Sequence, residues 1–284
     1  MTDITTPSSD EQTPNQQSSN QQSSNQQWSA ARVADILLTA ERTRTSRTSI
    51  QKEWPDLTLD VAYLAQDIAL ADRRARGEVV TGVKLGLTSR AKQQQMGVDE
   101  PSVAWLTDTM ALPAGLPVPR NRLIHPRAEP EIAFVLGRPL RGPGVTAASA
   151  LAAVDRVYGA IEIIDSRYSG FKFTLADAVA DNNSSGVYIT GPISRRVEDL
   201  DLALEACLLE VDGDIVDSAT GAAVLGHPAE ALAFAANTLG ARGHGLEAGW
   251  TVLTGGMTDA IAVAPGSRVA VHFTSLGSIT VSGG

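Results

Sequence analysis

Residues 129–136 read Glu-Pro-Glu-Ile-Ala-Phe-Val-Leu, and residues 158–164 read Tyr-Gly-Ala-Ile-Glu-Ile-Ile. Both are apolar, strand-like runs, and both carry carboxylates where a buried strand should have none. An unpaired buried carboxylate is costly, so it is normally paired, protonated or bound to a metal. In a strand, residues i and i+2 share a face. Glu129 and Glu131 therefore stand side by side, and Glu162 can complete a three-oxygen set from a neighbouring strand. Hard oxygen ligands favour Mg²⁺ or Mn²⁺ over zinc, and three protein ligands on an octahedral ion leave about three positions for water or substrate. The competing reading is two half-exposed strand glutamates plus a third paired with an arginine. Glu-x-Glu spacing alone does not separate the two.

Outward from these runs the chain divides in character. Before them, Ser29 to about Thr45 carries Val33, Ile36, Leu37 and Ala40 at helical spacing, and residues 58–76 carry Val61, Leu64, Ala65 and Ile68, with Thr58 as cap and Gly77 after the last turn. Val79–Leu87 is strand-like, and Ser89–Gln95 makes one or two helical turns. From about residue 103, short apolar runs alternate with Pro and Gly. Strands are predicted at 131–137, 158–164, 187–190, 204–211, 214–218, 250–254, 268–273 and 277–282, and helices at 146–155 and 228–240. Asp212-Gly213 between two such runs signals a hairpin. The pattern predicts an α+β protein on a mixed, rolled or barrel-like β core. The expected organisation is a Ser/Asn/Gln-rich disordered tail over residues 1–27 and one catalytic domain over 28–284. Within that domain, 28–100 is the helical part and 101–284 the β-rich metal-binding core.

Composition narrows the function. The 284 residues carry a net charge of −9, which argues against nucleic acid or a lipid surface as the main partner. Cys207 is the only cysteine, so neither an internal disulfide nor a thiolate metal cluster is possible. Arginine supplies 19 of the 23 cationic side chains, and the four lysines are Lys52, Lys84, Lys92 and Lys172. No run approaches the roughly 20 apolar residues of a membrane span, and the tail has neither signal-peptide nor transit-peptide character, so a soluble cytoplasmic protein is expected. No glycine-rich nucleotide motif is present.

Six motifs then occur in order: Val-Lys-Leu-Gly-Leu-Thr-Ser (83–89), Leu-Ile-His-Pro-Arg-Ala-Glu-Pro-Glu-Ile-Ala (123–133), Glu-Ile-Ile-Asp-Ser-Arg-Tyr (162–168), Val-Ala-Asp-Asn (179–182), Val-Leu-Gly-His-Pro (224–228) and Leu-Thr-Gly-Gly (253–256). Together they resemble the 4-oxalocrotonate decarboxylase / 2-oxopent-4-enoate hydratase family of the fumarylacetoacetate hydrolase superfamily, from about residue 30 onward. The resemblance implies a mixed β-roll, Mg²⁺ or Mn²⁺ on Glu129, Glu131 and Glu162, and a short-chain 2-oxo acid substrate. Val83, Ser102 after Pro101, and the segment 165–173 with Lys172 resemble the decarboxylase branch more than the hydratase branch. The implied reaction is loss of CO₂ from 2-oxohex-3-enedioate, a small 2-oxo dicarboxylic acid, with electrons moving onto the C2 oxygen beside a Lewis-acid cation. The resemblance also implies a homo-oligomer and a complex with the pathway hydratase.

Lys84 is the expected catalytic lysine, holding the C1 carboxylate or enolate oxygen or moving a proton. Without the resemblance it reads as a surface lysine at a strand end. The backbone at Leu87, the Ser184 hydroxyl, and Thr254 with Gly255 are candidate substrate contacts. The plain alternative for each is turn chemistry. Lys172 either meets the distal carboxylate or lays its stem on apolar surface. Asp165 and Arg167 are expected to pair, and His125 and His227 are read as structural. Three other functions compete: the sister hydratase, a carbon–carbon bond hydrolase, and a non-catalytic subunit. The hydrolase commonly needs a His–Glu pair on a short helix, and residues 89–97 hold no histidine. The subunit would have no use for a costly carboxylate cluster.

Overall fold

The computed structural model describes residues 1–2 and 27–284. The tail expected over 1–27 therefore falls almost wholly outside the described residues. Helix α1 (Ala30–Thr43) begins where the Ser29 hydroxyl accepts the Arg32 N–H, and α2 (Leu59–Ala75) where Thr58 accepts the Val61 N–H. Both match the periodicity. They turn Val33, Leu37, Ala62 and Ala65 against Tyr168, Val179 and Ala180.

The chain continues through β1 (Val80–Gly86), α3 (Arg90–Met96), β2 (Ser102–Thr107), β3 (Arg127–Leu136), α4 (Ala147–Leu151), β4 (Val154–Ile164), α5 (Leu175–Ala180) and β5 (Ser185–Arg195). It closes with β6 (Ala206–Val211), β7 (Asp214–Thr220), α6 (Pro228–Ala241), β8 (Thr251–Leu253), β9 (Ile261–Ala262), β10 (Arg268–Phe273) and β11 (Gly277–Ser282). The larger sheet runs β2-β1-β8-β3-β4-β5, with β9 also on β3, and the smaller runs β11-β10-β6-β7. Among the described strands only β1 and β8 pair in parallel, so the larger sheet is mixed, as expected. The Phe273 ring of β10 occupies the space a side chain at Gly159 of β4 would need. The two sheets thus share one core that includes Ile132, Phe134, Ile161, Leu209 and Val271. Each such fully buried side chain contributes about 1.5–3 kcal/mol. Asp212 and Gly213 both adopt positive φ, which lets a two-residue turn join β6 to β7 as the sequence signals.

Four expectations change. β2 was not predicted, because all six of its residues are buried and the alternation that marks a strand is missing. β4 starts at Val154, so the helix expected over 146–155 shrinks to α4. β5 extends over 185–195, well past the predicted 187–190. β3 starts at Arg127, four residues before the predicted 131, and runs through Pro130. Proline cannot donate to a ladder. Here the ladder on that side of β3 is broken: β9 pairs with residues 127–128, β8 with 133–135, and a loop fills the gap, donating from Met257 and Thr254 to the carbonyls of Pro130 and Ile132. That gap holds the site. α6 begins with Pro228, and His227 before it accepts the Ala229 N–H on Nδ1, the structural role expected of it.

Candidate active site

The register of β3 on β4 sets Glu129 directly opposite Glu162, with Glu131 two residues along on the same face. Oxygens of the three carboxylates lie within 4.8 Å of one another. Glu131 and Glu162 are fully buried and Glu129 nearly so. Like charges facing each other destabilise a sheet. Burial, then Glu162 and Glu129, hold the Glu131 carboxyl well above the ordinary carboxylate range. Burial also raises Glu162, against the opposing pull of Lys84. Lys84 of β1 reaches across with Nζ 2.6 Å from Glu162 Oε1, and it donates to the Asn183 carbonyl at 2.9 Å. Glu131 Oε2 accepts the Gly255 N–H at 2.7 Å. Glu131 Oε1 and Glu162 Oε2 are buried with no hydrogen-bond partner among the described residues. Two orphaned oxygens beside a third carboxylate fit a hard divalent cation. Glu129, Glu131 and Glu162 are the residues that would hold it.

The loop over the β3 gap is shaped to these carboxylates. A side chain at Gly255, which sits at φ +107, would strike the Thr88 hydroxyl, and one at Gly256 would meet Glu129 Oε2 at 2.3 Å. Gly256 itself has no left-handed backbone, so Gly256→Ala isolates that one contact. It is expected to weaken Mn²⁺ binding by roughly 10–100-fold with secondary structure retained. Titration calorimetry and circular dichroism together check both halves, and wild-type affinity would mean the glycine is incidental.

Beside the carboxylates opens a cleft of about 820 Å³, lined by Lys84, Leu87, Lys92, Ser102, Arg127, Glu129, Phe171, Lys172, Asn183 and Ser184 among others. Of the candidates, Lys84, Leu87, Lys172 and Ser184 therefore share one cavity. Thr254 and Gly255 serve differently from the expectation. The Thr254 hydroxyl donates to the Ile132 carbonyl and the Gly255 N–H to Glu131, so both support the carboxylates from behind. The expected Asp165–Arg167 pair is also corrected. Arg167 pairs with Asp181, while the Asp165 carboxylate accepts the N–H groups of Ile124 and His125. β4 ends at Ile164 and the chain bends at Arg167, so the shared face of strand residues i and i+2 is lost. Burial disfavours the Arg167 charge, but Asp181 and Glu41 outweigh it and raise its pKa. Val83 lies in the core rather than at the cleft, so it cannot select substrate by contact, whereas Ser102 lines the cleft and bonds Asn183 Oδ1.

Sequence reading missed Lys92, Arg127 and Asn183. Lys92 of α3 stands 3.5 Å from Glu129 and donates to the Thr258 carbonyl at 3.1 Å. Its only signal was the scarcity of lysine. Arg127 could have been found from the period of two, since it precedes Glu129 by two residues on the same face. Its guanidinium lies 4.2 Å above the Phe171 ring centroid. Asn183 belongs to three consecutive left-handed residues, Asn182, Asn183 and Ser184, at φ 48, 48 and 57. Such conformations cost about 1–2 kcal/mol per residue outside glycine and collect at functional sites.

Residues 75–282 match the family model of the fumarylacetoacetate hydrolase C-terminal domain. The chain belongs to the fumarylacetoacetate hydrolase family. Within this family, the chain is 45% identical over 231 residues to a 4-oxalocrotonate decarboxylase of Pseudomonas sp. (strain CF600), covering 81% of this chain and 88% of the relative. It is 40% identical over 232 residues to a 2-keto-4-pentenoate hydratase of Paraburkholderia xenovorans (strain LB400), covering 81% and 86%. The solved structure of 4-oxalocrotonate decarboxylase from Pseudomonas putida G7, complexed with magnesium and adipate, superposes with a TM-score of 0.86 at 38% identity, covering 91% of this chain and 99% of that one. No described helix is long and apolar enough to cross a membrane.

Proposed function

We propose that this chain is a divalent-metal-dependent lyase that converts 2-oxohex-3-enedioate into 2-hydroxypenta-2,4-dienoate and CO₂. One observation carries the reading: a single cleft reaches the buried carboxylate triad at Glu129 and is lined by the cations Lys84, Lys92, Arg127 and Lys172, in a chain of net charge −9. That lining suits a substrate with a carboxylate at each end. The related decarboxylase that bound adipate, a six-carbon dicarboxylate, supports the same substrate class.

When bound, a Mg²⁺ or Mn²⁺ ion on Glu129, Glu131 and Glu162 supplies a Lewis-acid charge beside the substrate's 2-oxo oxygen. In the reaction the C5–C6 bond breaks and CO₂ leaves. The electron pair forms C4=C5, C3=C4 shifts to C2=C3, and negative charge collects on the C2 oxygen, which takes up one proton to give the hydroxyl. Lys84 has three N–H donors, two of which are engaged by Glu162 and Asn183. The third is left for the developing oxyanion, where a donor fixed in advance acts on the transition state. Lys172 and Arg127 hold the distal carboxylate. A cation on the group that departs stabilises the bound substrate, so these two serve binding more than rate. Phe171, Phe173 and Leu175 line an apolar wall of the cleft.

The hydratase reading, water addition to 2-hydroxypenta-2,4-dienoate at the same site, is the second choice, favoured by the 40% identical hydratase relative. Two ultraviolet assays with Mg²⁺ and chelator controls separate them. Metal-dependent loss of 2-oxohex-3-enedioate with CO₂ release, and little change in 2-hydroxypenta-2,4-dienoate, is the expected result; the reverse pattern would make the chain a hydratase. The proposal extends to a cytoplasmic step in the breakdown of aromatic ring-cleavage products, to a homo-oligomer, and to association with the hydratase that consumes the product. Residues 28–284 are read as one catalytic unit.

A further inference from the structure

Arg167 and Asp181 lie outside the cleft, yet they frame the segment that presents Lys84 to it. The Arg167 guanidinium is enclosed. It bonds both the carboxylate and the carbonyl of Asp181, and its Nη1 donates to the carbonyls of Asp165 (2.6 Å) and Ser185 (2.9 Å). Arg167 thus grips both ends of the turn between Asp181 and Ser185, which contains the three left-handed residues 182–184. A turn of that kind persists only where its surroundings over-determine it. Asn182 adds two bonds, accepting the Trp105 N–H and donating to the Trp105 carbonyl, each at 2.9 Å. Ser102 donates to Asn183 Oδ1 at 3.0 Å.

The turn lines the cleft with Asn183 and Ser184, and it supplies the Asn183 carbonyl that accepts from Lys84. A lysine head on a flexible four-carbon stem rests where its acceptors place it. The network reaches back into the helical layer. Glu41 of α1 pairs with Arg73 of α2, and both border the same small enclosed space as Arg167, Asp181 and Asn182. Arg47 exchanges backbone hydrogen bonds with Arg167 and Ser169.

We infer that Arg167 and Asp181 are positioning residues: their buried ion pair locks the left-handed turn at 182–184 and so fixes the Asn183 carbonyl that aims Lys84. The inference rests on the reading that Lys84 acts in turnover. It accounts for two of the sequence motifs, Asp-Ser-Arg at 165–167 and Ala-Asp-Asn at 180–182, that no direct contact with the cleft explains.

The test compares wild type, Arg167→Lys and Asp181→Asn as full chains loaded with Mn²⁺. Four quantities are measured: Mn²⁺ affinity, KM, kcat, and the rate at which an amine-reactive reagent labels Lys84, read by peptide mass spectrometry. The expected kcat loss is roughly 10–10²-fold, the penalty of a small misplacement at the reacting group. KM and Mn²⁺ affinity should stay within about twofold, the pattern of an interaction made only in the transition state. The Lys84 labelling rate should change several-fold. Unchanged labelling, or a fall in Mn²⁺ affinity that tracks kcat, overturns the inference, because a purely structural pair would behave that way.

If both variants fail to fold, Asn182→Gly decides. It removes the two bonds to Trp105, leaves no buried charge, and keeps the left-handed backbone accessible. Altered Lys84 labelling with reduced kcat supports the inference, and wild-type values for both overturn it. Were the wild type to turn over neither substrate, the functional reading would fail while the labelling comparison still judged the positioning.

Discussion

Glu131→Gln is expected to abolish metal-dependent turnover while leaving the fold intact. Glu131 is the most enclosed of the three carboxylates, and one of its oxygens has no hydrogen-bond partner among the described residues. A neutral amide in its place presents the cation with one charge fewer and an N–H₂ group where an oxygen should be. Its effect on the metal-free protein runs the other way. Burial and the neighbouring glutamates raise the Glu131 carboxyl above its ordinary 4.5, so the folded chain retains a proton that the unfolded chain releases. The associated stability is fully present below the ordinary value and is lost as pH rises through the raised one. Glutamine mimics the protonated form at every pH. Metal-free Glu131→Gln should therefore melt higher than metal-free wild type at pH 8, and the two should converge towards pH 4.5. Calorimetric scans with chelator, beside the assay with Mg²⁺, check both halves. Near-normal turnover would remove the metal assignment.

Lys84→Ala is expected to lower kcat by ~10² or more, the usual scale for a lost proton-transfer or oxyanion donor. The Lys84–Glu162 pair is almost wholly buried. Removing one partner of such a pair costs about 3–5 kcal/mol, because a buried charge is left unmatched. That loss should appear in the metal-free variant and shrink once a cation occupies the site, since the cation neutralises Glu162 in turn. A variant that melts low without metal, recovers with it, and still turns over slowly assigns Lys84 to the chemistry. A change of only a few-fold in kcat at saturating Mn²⁺ would reduce Lys84 to a structural counter-ion.

The sequence was most legible where one physical rule governs several residues at once. The period of two placed Glu129 and Glu131 together, and charge in apolar text singled out Glu162; the strand register then joined them as cross-strand partners. Capping residues marked α1 and α2, Pro228 in the first turn marked α6, and the terminal hairpin of β10 and β11 matched to the residue. What stayed hidden depended on long-range placement. β2 carries no alternation because both its faces are covered. Lys92 reaches Glu129 from a helix more than thirty residues earlier in the chain. Arg167 is drawn away from Asp165 by Asp181, a partner that only the return of the chain through α5 brings near. Thr254 and Gly255 were recognised as important, but their bonds turn inward, to Ile132 and Glu131, a direction no one-dimensional pattern contains.

The family model begins at residue 75, the last residue of α2, and that boundary would mislead anyone trimming the protein. A chain started there would keep Lys84 and all three glutamates. It would also strip Ser49, Ile50 and Gln51 from the fully buried carboxylate of Asp177, and Gln66 from the carbonyls of Val103 and Val179. Tyr168 and Val179 would be laid open to water along the wall that carries Lys172. Truncation at the family edge would thus preserve the catalytic groups and dissolve their support, which makes residue 28, not 75, the latest sensible start for a minimal fragment.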